Sequence, residues 1–167
     1  PKEAVMGIDR QQRGFLISAL QSEIFNHVLD QRIRAGLFRQ LIAGDLGWKH
    51  ENHSVFSVDQ ETATKDNGSG GRVENLEVSP SGPMWGAKML KASGQVRTWE
   101  TEAMHDFKIS EQDFNCIDHI DAKGTRRPLR VTVDQADISS GADDHGPYVR
   151  LAFDLPSGAY ATTLLRE

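Results

Sequence analysis

The 167 residues hold a single cysteine, Cys116. It cannot form an internal disulfide, and such sparing use favours a reducing compartment, so the cytoplasm is the expected location. Long apolar runs are also lacking. No stretch approaches the roughly 20 residues that span a bilayer, and no membrane partner is expected. The opening PKEAVMGIDRQQRG has no apolar core of the kind a secretory signal needs. Its first residue is Pro1 rather than Met, which suits a processed, trimmed or partial chain. There is no GxSxG elbow, no P-loop and no GxGxxG after a strand. Cations are in deficit, with a formal charge of −5, which argues against a large nucleic-acid footprint while leaving room for a local basic patch.

Metal chemistry lacks its pattern as well. His50 and His53 form an HxxH pair, and Cys116 and His119 a CxxH pair. Zinc needs three or four ligands in closed geometry, and two unlinked half-sites do not supply them. These histidines read as turn and surface residues. Ser79, Ser81 and Ser157 sit in turn-like stretches, where serine is ordinary. Asp143 and Asp144 read as solvated hairpin acids, and Asp154 as a turn cap.

What is present is an ordinary globular balance, 38% apolar and 26% charged. Residues 10–42 carry the strongest pattern. Ile17, Leu20, Ile24 and Val28 follow one helical stripe, widened by Phe15, Phe25, Leu29 and Ile33. Asp9 is placed to cap this helix, Gly36 to break it and Gly44 to end it. Asp45–Trp48 and Ser54–Val58 read as short strands around a His-Glu-Asn-His turn. TKDNGSGGR (64–72) is too polar to pack and reads as a mobile loop. Residues 73–78 suit a further short strand. SPSGPMWGAKML (79–90) is dense in turn residues. TWETEAMHDF suits a helix, and SEQDF a capping box at Ser110 opening another. LRVTVDQADI (129–138) and YVRLAFDL (148–155) alternate as strands around a GADDHG connection, with ATTLLRE as a last strand. The fold class is therefore α+β: a long N-terminal helix, a small mixed lobe, then antiparallel strands.

The most basic stretch is KGTRRPLR, with Lys123, Arg126, Arg127 and Arg130. Arginine's planar fork suits phosphate, but a solvated loop with local salt bridges fits the charge equally well. Trp85, Lys88 and Lys91 make a weaker aromatic-plus-basic set. It could touch RNA, or Trp85 could pack beneath its own loop.

Four separated stretches resemble one family, the TruD-type tRNA pseudouridine synthases. FLISALQSEIFNHVLDQR (15–32) is similar to its FLxSAxxSxxFNxxLxxR helix. GDLGWKHENHSVFSV (44–58) follows in place. EVSPSGPMWGAKM (77–89) resembles SPxGPMxGxKM. GTRRPLRV and FDLPSGAYATTLLRE are similar to RRPLR and the closing LPxGSYATxxLRE. Order and spacing agree across nearly the whole chain.

The resemblance implies isomerisation of a uridine in tRNA, uridine-13, to pseudouridine, with no metal and no organic cofactor. It also implies two parts: an insertion domain over 1–122, and strands of the catalytic domain over 123–167. The family's catalytic aspartate lies in a GxKDxxAxTxQ stretch. No aspartate of this sequence matches it, so no nucleophile is assigned, and the chain is expected to be inactive without that other half. Tyr160 corresponds to the aromatic that packs a flipped-out base. Ala161 and Thr162 line the site beside it, and Ala159 stands where the family has serine. Arg126, Arg127 and Arg130 become RNA-facing or domain-junction cations, and Lys88 an RNA contact in the insertion domain. Arg166-Glu167 read as a charged clasp. The alternative is a non-catalytic RNA-binding or scaffold module that retains the fold.

Overall fold

The computed structural model describes residues 7–115 and 123–165. The chain divides into two compact units, Pro1–Leu129 and Arg130–Glu167.

The first unit begins with α1 (Arg10–Arg34). Asp9 caps it as expected, its Oδ1 accepting from the Gln12 amide at 2.9 Å. The helix stops earlier than its apolar pattern. Gly36 turns left-handed at φ 71°, and the amides of Gly36 and Leu37 donate back to the carbonyls of Ile33 and Arg32. That pair of reversed bonds satisfies the last carbonyls and releases residues 37–42 from the helix. Ile24, Phe25 and Val28 are buried, whereas Phe15 and Ile33 lie at the exposed margins of the stripe.

A four-stranded antiparallel sheet follows, in the order β2-β1-β3-β4. The first two strands, β1 (Leu46–Lys49) and β2 (Val55–Ser57), form the expected hairpin. The third is a surprise: the turn-rich SPSGPM is β3 (Val78–Met84), a buried strand between β1 and β4 (Thr125–Pro128). Prolines are normally confined to sheet edges because they cannot donate to the ladder. Here Pro80 still contributes its carbonyl, which accepts from the Leu129 amide at 2.9 Å, and its register partner is Gly47. Gly82 has a packing role. A Cβ there would lie 2.8 Å from the Phe25 ring and from Leu129, so glycine lets α1 approach the sheet.

The supposed loop 64–72 is also ordered. Helix α2 (Gln60–Asp66) runs into it, capped by Asp59, whose carboxyl the Thr62 amide holds below its ordinary pKa. Asp66 is buried and takes two bonds from Arg72, at 2.8 and 2.6 Å, which raise the pKa of that guanidinium. Local ion pairing replaces the apolar contacts this segment lacks. The expected strand over 73–78 is mostly turn, and only Val78 joins β3.

Helices α3 (Gly94–Asp106) and α4 (Glu111–Asn115) form where expected. Asp113 accepts from the amide and hydroxyl of Ser110, which lowers its pKa and supplies the carboxylate half of the expected capping box, while the Asp113 amide donates to the Ser110 carbonyl. Trp85, Met89, Ala103, Met104 and Phe114 pack with Ile24 and Val28 in one core cluster. Leu41, Val58, Ala63, Val73 and Val78 form the other.

Two guanidiniums lie inside this unit. Arg32 pairs with Asp45 at 2.6 and 2.9 Å and donates to the Gln40 carbonyl at 2.7 Å. Arg126 pairs with Glu100 through both nitrogens, at 2.9 and 2.6 Å, and donates to the Ser81 hydroxyl and carbonyl. Desolvating such charges costs several kcal/mol per ion, so the pair holds only while both members and their hydrogen bonds are present.

The second unit is an antiparallel ribbon, β5 (Asp134–Asp143) and β6 (Gly146–Asp154), joined by a two-residue turn. Register and alternation put Ile138, Ser140, Ala142, Pro147, Val149 and Leu151 on one face, without a charge. Asp137, Ser139, Tyr148, Arg150 and Ala152 share the other. β5 starts later than the pattern over 129–138 suggests, at Asp134, with a register irregularity before Asp137. ATTLLRE is not a strand where it is described. Residues Ala161–Leu164 form a short helix, α5, with the Leu165 amide donating to the Ala161 carbonyl at 3.0 Å. Its backbone bonds locally instead of in a ladder. No described helix is long and apolar enough to cross a membrane.

Glu100→Ala is expected to lower stability by about 3–5 kcal/mol, because Arg126 is left buried without a counter-charge. A chemical-denaturation midpoint within experimental error of the parent would show that the pair is dispensable. The double replacement Glu100→Ala, Arg126→Met should recover most of the loss. Gly82→Ala should cost about 1–3 kcal/mol by the same measurement, through overpacking against Phe25.

Candidate nucleic-acid interface

The basic stretch does not present one surface. Strand alternation separates its members. Arg126 points inward to Glu100 and Ser81 and is only 3% exposed. All three guanidinium nitrogens are engaged within the fold, and burial closes the group to a phosphate. Where the sequence suggested an RNA-facing or domain-junction cation, the structure has Arg126 buried and tying β4 to β3 and α3, all within the first unit. Arg127 occupies the next position on β4, half-buried, with its guanidinium 5.5 Å above the Phe25 ring. Arg130 is buried and opens the second unit.

Lys88 is exposed on the loop after β3, and its amide donates to the Lys123 carbonyl at 2.7 Å. This bond joins the two loops that carry these lysines. Glycine is needed at the junction, since a Cβ on Gly124 would lie 2.5 Å from the Gly86 amide nitrogen. Trp85 takes the other course open to it. It is 2% exposed, in the core, with Arg97 stacked at 5.2 Å. Lys91 is paired with Glu111.

The ring of Tyr160 is 71% exposed at the residue before α5. The turn that presents it closes with the Ala159 amide donating to the Pro156 carbonyl at 3.1 Å, and Gly158 sits at φ 88°. Ala161 and Thr162 are exposed in the first turn of α5. The three residues expected to line a base are thus consecutive and solvent-facing. Arg166-Glu167, Cys116 and His119 lie outside the described residues.

His50 and His53 take up different contacts. His50 Nε2 lies 2.8 Å from the Ser79 hydroxyl, and His53 stacks on Trp48. Among the described residues no group of three or more potential ligands could hold a metal ion. The sequence reading missed two arrangements here, the Arg126–Glu100–Ser81 network and the Trp48–His53 stack. The second carried a signal: both rings belong to the expected β1–β2 hairpin, five positions apart.

The family model described as tRNA pseudouridine synthase D (TruD) matches residues 1–167. The tRNA pseudouridine synthase D of Geobacter sulfurreducens is 32% identical over 166 residues, which is 99% of this chain and 38% of that protein. The Thermus thermophilus protein of the same name is 33% identical over 153 residues, covering 92% of this chain and 39% of its own length. The chain thus spans less than half the length of these relatives. A TruD crystal structure from Methanosarcina mazei superposes with a TM-score of 0.71 at 28% identity, over 87% of this chain and 35% of that one. Helices and antiparallel sheets are shared, and the α+β class is confirmed. With the whole of its length matched, the chain belongs to the tRNA pseudouridine synthase D (TruD) family.

Proposed function

We propose that this chain is part of a tRNA pseudouridine synthase that converts a uridine of tRNA, uridine-13, to pseudouridine in the cytoplasm. The observation that carries this reading is the family match over residues 1–167, in a chain spanning 38% of the length of the Geobacter sulfurreducens relative. The insertion domain takes 1–122, and 123–167 supplies strands to the catalytic domain. A second half, in the same protein or a partner chain, carries the GxKD-type aspartate.

The isomerisation balances without oxidant or cofactor. The N1–C1′ glycosidic bond breaks, uracil turns, a C5–C1′ bond forms, the proton on C5 leaves to solvent, and N1 takes up a proton in its place. Within this chain, Tyr160 is the residue suited to hold the turning base. Its ring is 71% exposed and presented by a tight turn, and stacking needs only a π-face. Lys88 and the half-buried Arg127 remain the cations proposed for the RNA side, whereas Arg130 is 8% exposed and, like Arg126, too buried to meet a phosphate.

The β5–β6 ribbon supports the need for a second half. Ile138 and Val149, on its uncharged face, are 73% and 68% exposed. A two-stranded ribbon is marginal in water by itself, and such a face gains stability only when another layer covers it.

A second reading is a non-catalytic RNA-binding or scaffold module that retains the family fold. Release of tritium from C5-labelled uridine in tRNA separates the two. The chain alone should release none, and a rate comparable to a full-length relative would overturn the missing-nucleophile argument. Joined to a GxKD-bearing half it should become active. Continued inactivity of that folded assembly would favour the module.

In the active assembly Tyr160→Phe should retain most activity. Tyr160→Ala should lose about tenfold or more while tRNA binding persists. Undiminished release by the alanine variant would remove Tyr160 from the site.

A further inference from the structure

One surface feature of the first unit has no part in the site proposed above. It lies at the end of the β1–β2 hairpin. Trp48 and His53 stack with ring centroids 5.5 Å apart and planes 26° from parallel. Trp48 is half-buried and His53 exposed, so the imidazole lies on the solvent side of the indole. The turn locks this arrangement: the His53 amide donates to the Lys49 carbonyl at 2.9 Å, and the Ser54 amide to Asn52 Oδ1 at 3.0 Å. Beneath it, Trp48 is the register partner of Ser79, whose hydroxyl is 2.8 Å from His50 Nε2. The platform therefore belongs to a strand paired directly with the buried strand β3.

The backbone at His53 is the informative detail. Its φ is 59°, in the left-handed region, where a residue with a Cβ costs about 1 kcal/mol or more that glycine would avoid. Glycine would make the turn more easily, and nothing in the turn's hydrogen bonds uses the imidazole. What the side chain adds is a flat ring laid over an indole, with a second face open to solvent. Lys49, the next residue of the strand, faces the other way, with its ammonium 5.7 Å above the Phe56 ring, so the platform offers rings and no cation of its own.

We propose that Trp48 and His53 form a landing platform for one unpaired base of the RNA. This inference rests on the reading of the chain as part of a tRNA-modifying enzyme and extends it to a second contact in the first unit. A third ring stacks on the outer face of His53. Base–aromatic stacking tolerates any base, so the contact positions RNA rather than selecting a sequence.

His53→Gly is the decisive variant, because it keeps the left-handed turn and removes only the ring. With the 167-residue chain and a single-stranded oligouridylate as probe, the parent should bind with quenching of tryptophan emission. His53→Gly should bind about tenfold more weakly while melting at or above the parent's temperature. His53→Phe should restore binding, and Trp48→Phe should abolish most of the quench. Binding by His53→Gly within twofold of the parent overturns the platform and leaves the family reading untouched. The same quench from inorganic tripolyphosphate, which has no base, also overturns it. A parent that binds neither the oligonucleotide nor tRNA at low salt overturns the platform and the RNA reading together.

Discussion

The first unit depends on one buried charge being answered. Arg126 is a cation on a half-exposed strand of four residues, yet its guanidinium lies 1% exposed against Glu100 at 0%. A lone guanidinium there would cost more than the lobe could repay, so β4, β3 and α3 must all be in place at once. Ser81 makes the requirement stricter. Its hydroxyl donates to the Leu46 carbonyl at 2.6 Å and receives Arg126 Nε at 3.1 Å, which links the pair to β1. Arg32 and Asp45 repeat the device at the other end of the unit, where Asp45 Oδ2 also accepts from the Ile42 amide at 2.8 Å. Apolar clusters supply the bulk of the burial, and these two pairs fix which strand and helix meet where.

This constraint explains why the basic stretch could not be read from charge. Counting cations in KGTRRPLR cannot separate Arg126 from Arg127, because successive residues of a strand face opposite ways. The decision lies with Glu100, 26 residues earlier in the chain, and no local pattern announces that partner. Glu100 itself looks like any acid of an amphipathic helix until β4 packs beside it.

Where structure is decided locally, the sequence was informative. The Asp9 and Ser110 caps, the β1–β2 hairpin, the turn between β5 and β6 and the α3 helix all follow from short-range chemistry. The failures have a common cause in tertiary context. SPSGPM carries turn residues, but β3 is a strand because β1 and β4 accept it and α1 needs its glycine at Gly82. TKDNGSGGR looked too polar to pack, and an ion pair between Asp66 and Arg72 holds it instead. ATTLLRE has strand-like composition, and composition cannot create a ladder partner. Tyr160, the residue proposed to hold the base, is singled out only by the family motif, since an exposed tyrosine after a turn has no signature of its own.

The two units therefore differ in kind. The first pairs its two buried guanidiniums with internal carboxylates and closes two apolar clusters, so its order comes from contacts it owns. The second has no comparable core among its described residues. Its ribbon pairs well along its length, but an uncharged face stays open, and Leu164 and Leu165 are 46% and 50% exposed beside Tyr160. Backbone pairing alone leaves such a ribbon marginal. Covering the open face would stabilise the ribbon and the turn that aims Tyr160 together, because both belong to one short segment. The residue proposed to hold the base thus sits where order must be completed by another layer. In the synthase proposed above, the ring proposed to hold the base would be assembled only when the halves are joined, and the RNA contact proposed for the first unit, which is ordered by its own contacts, would be independent of that step.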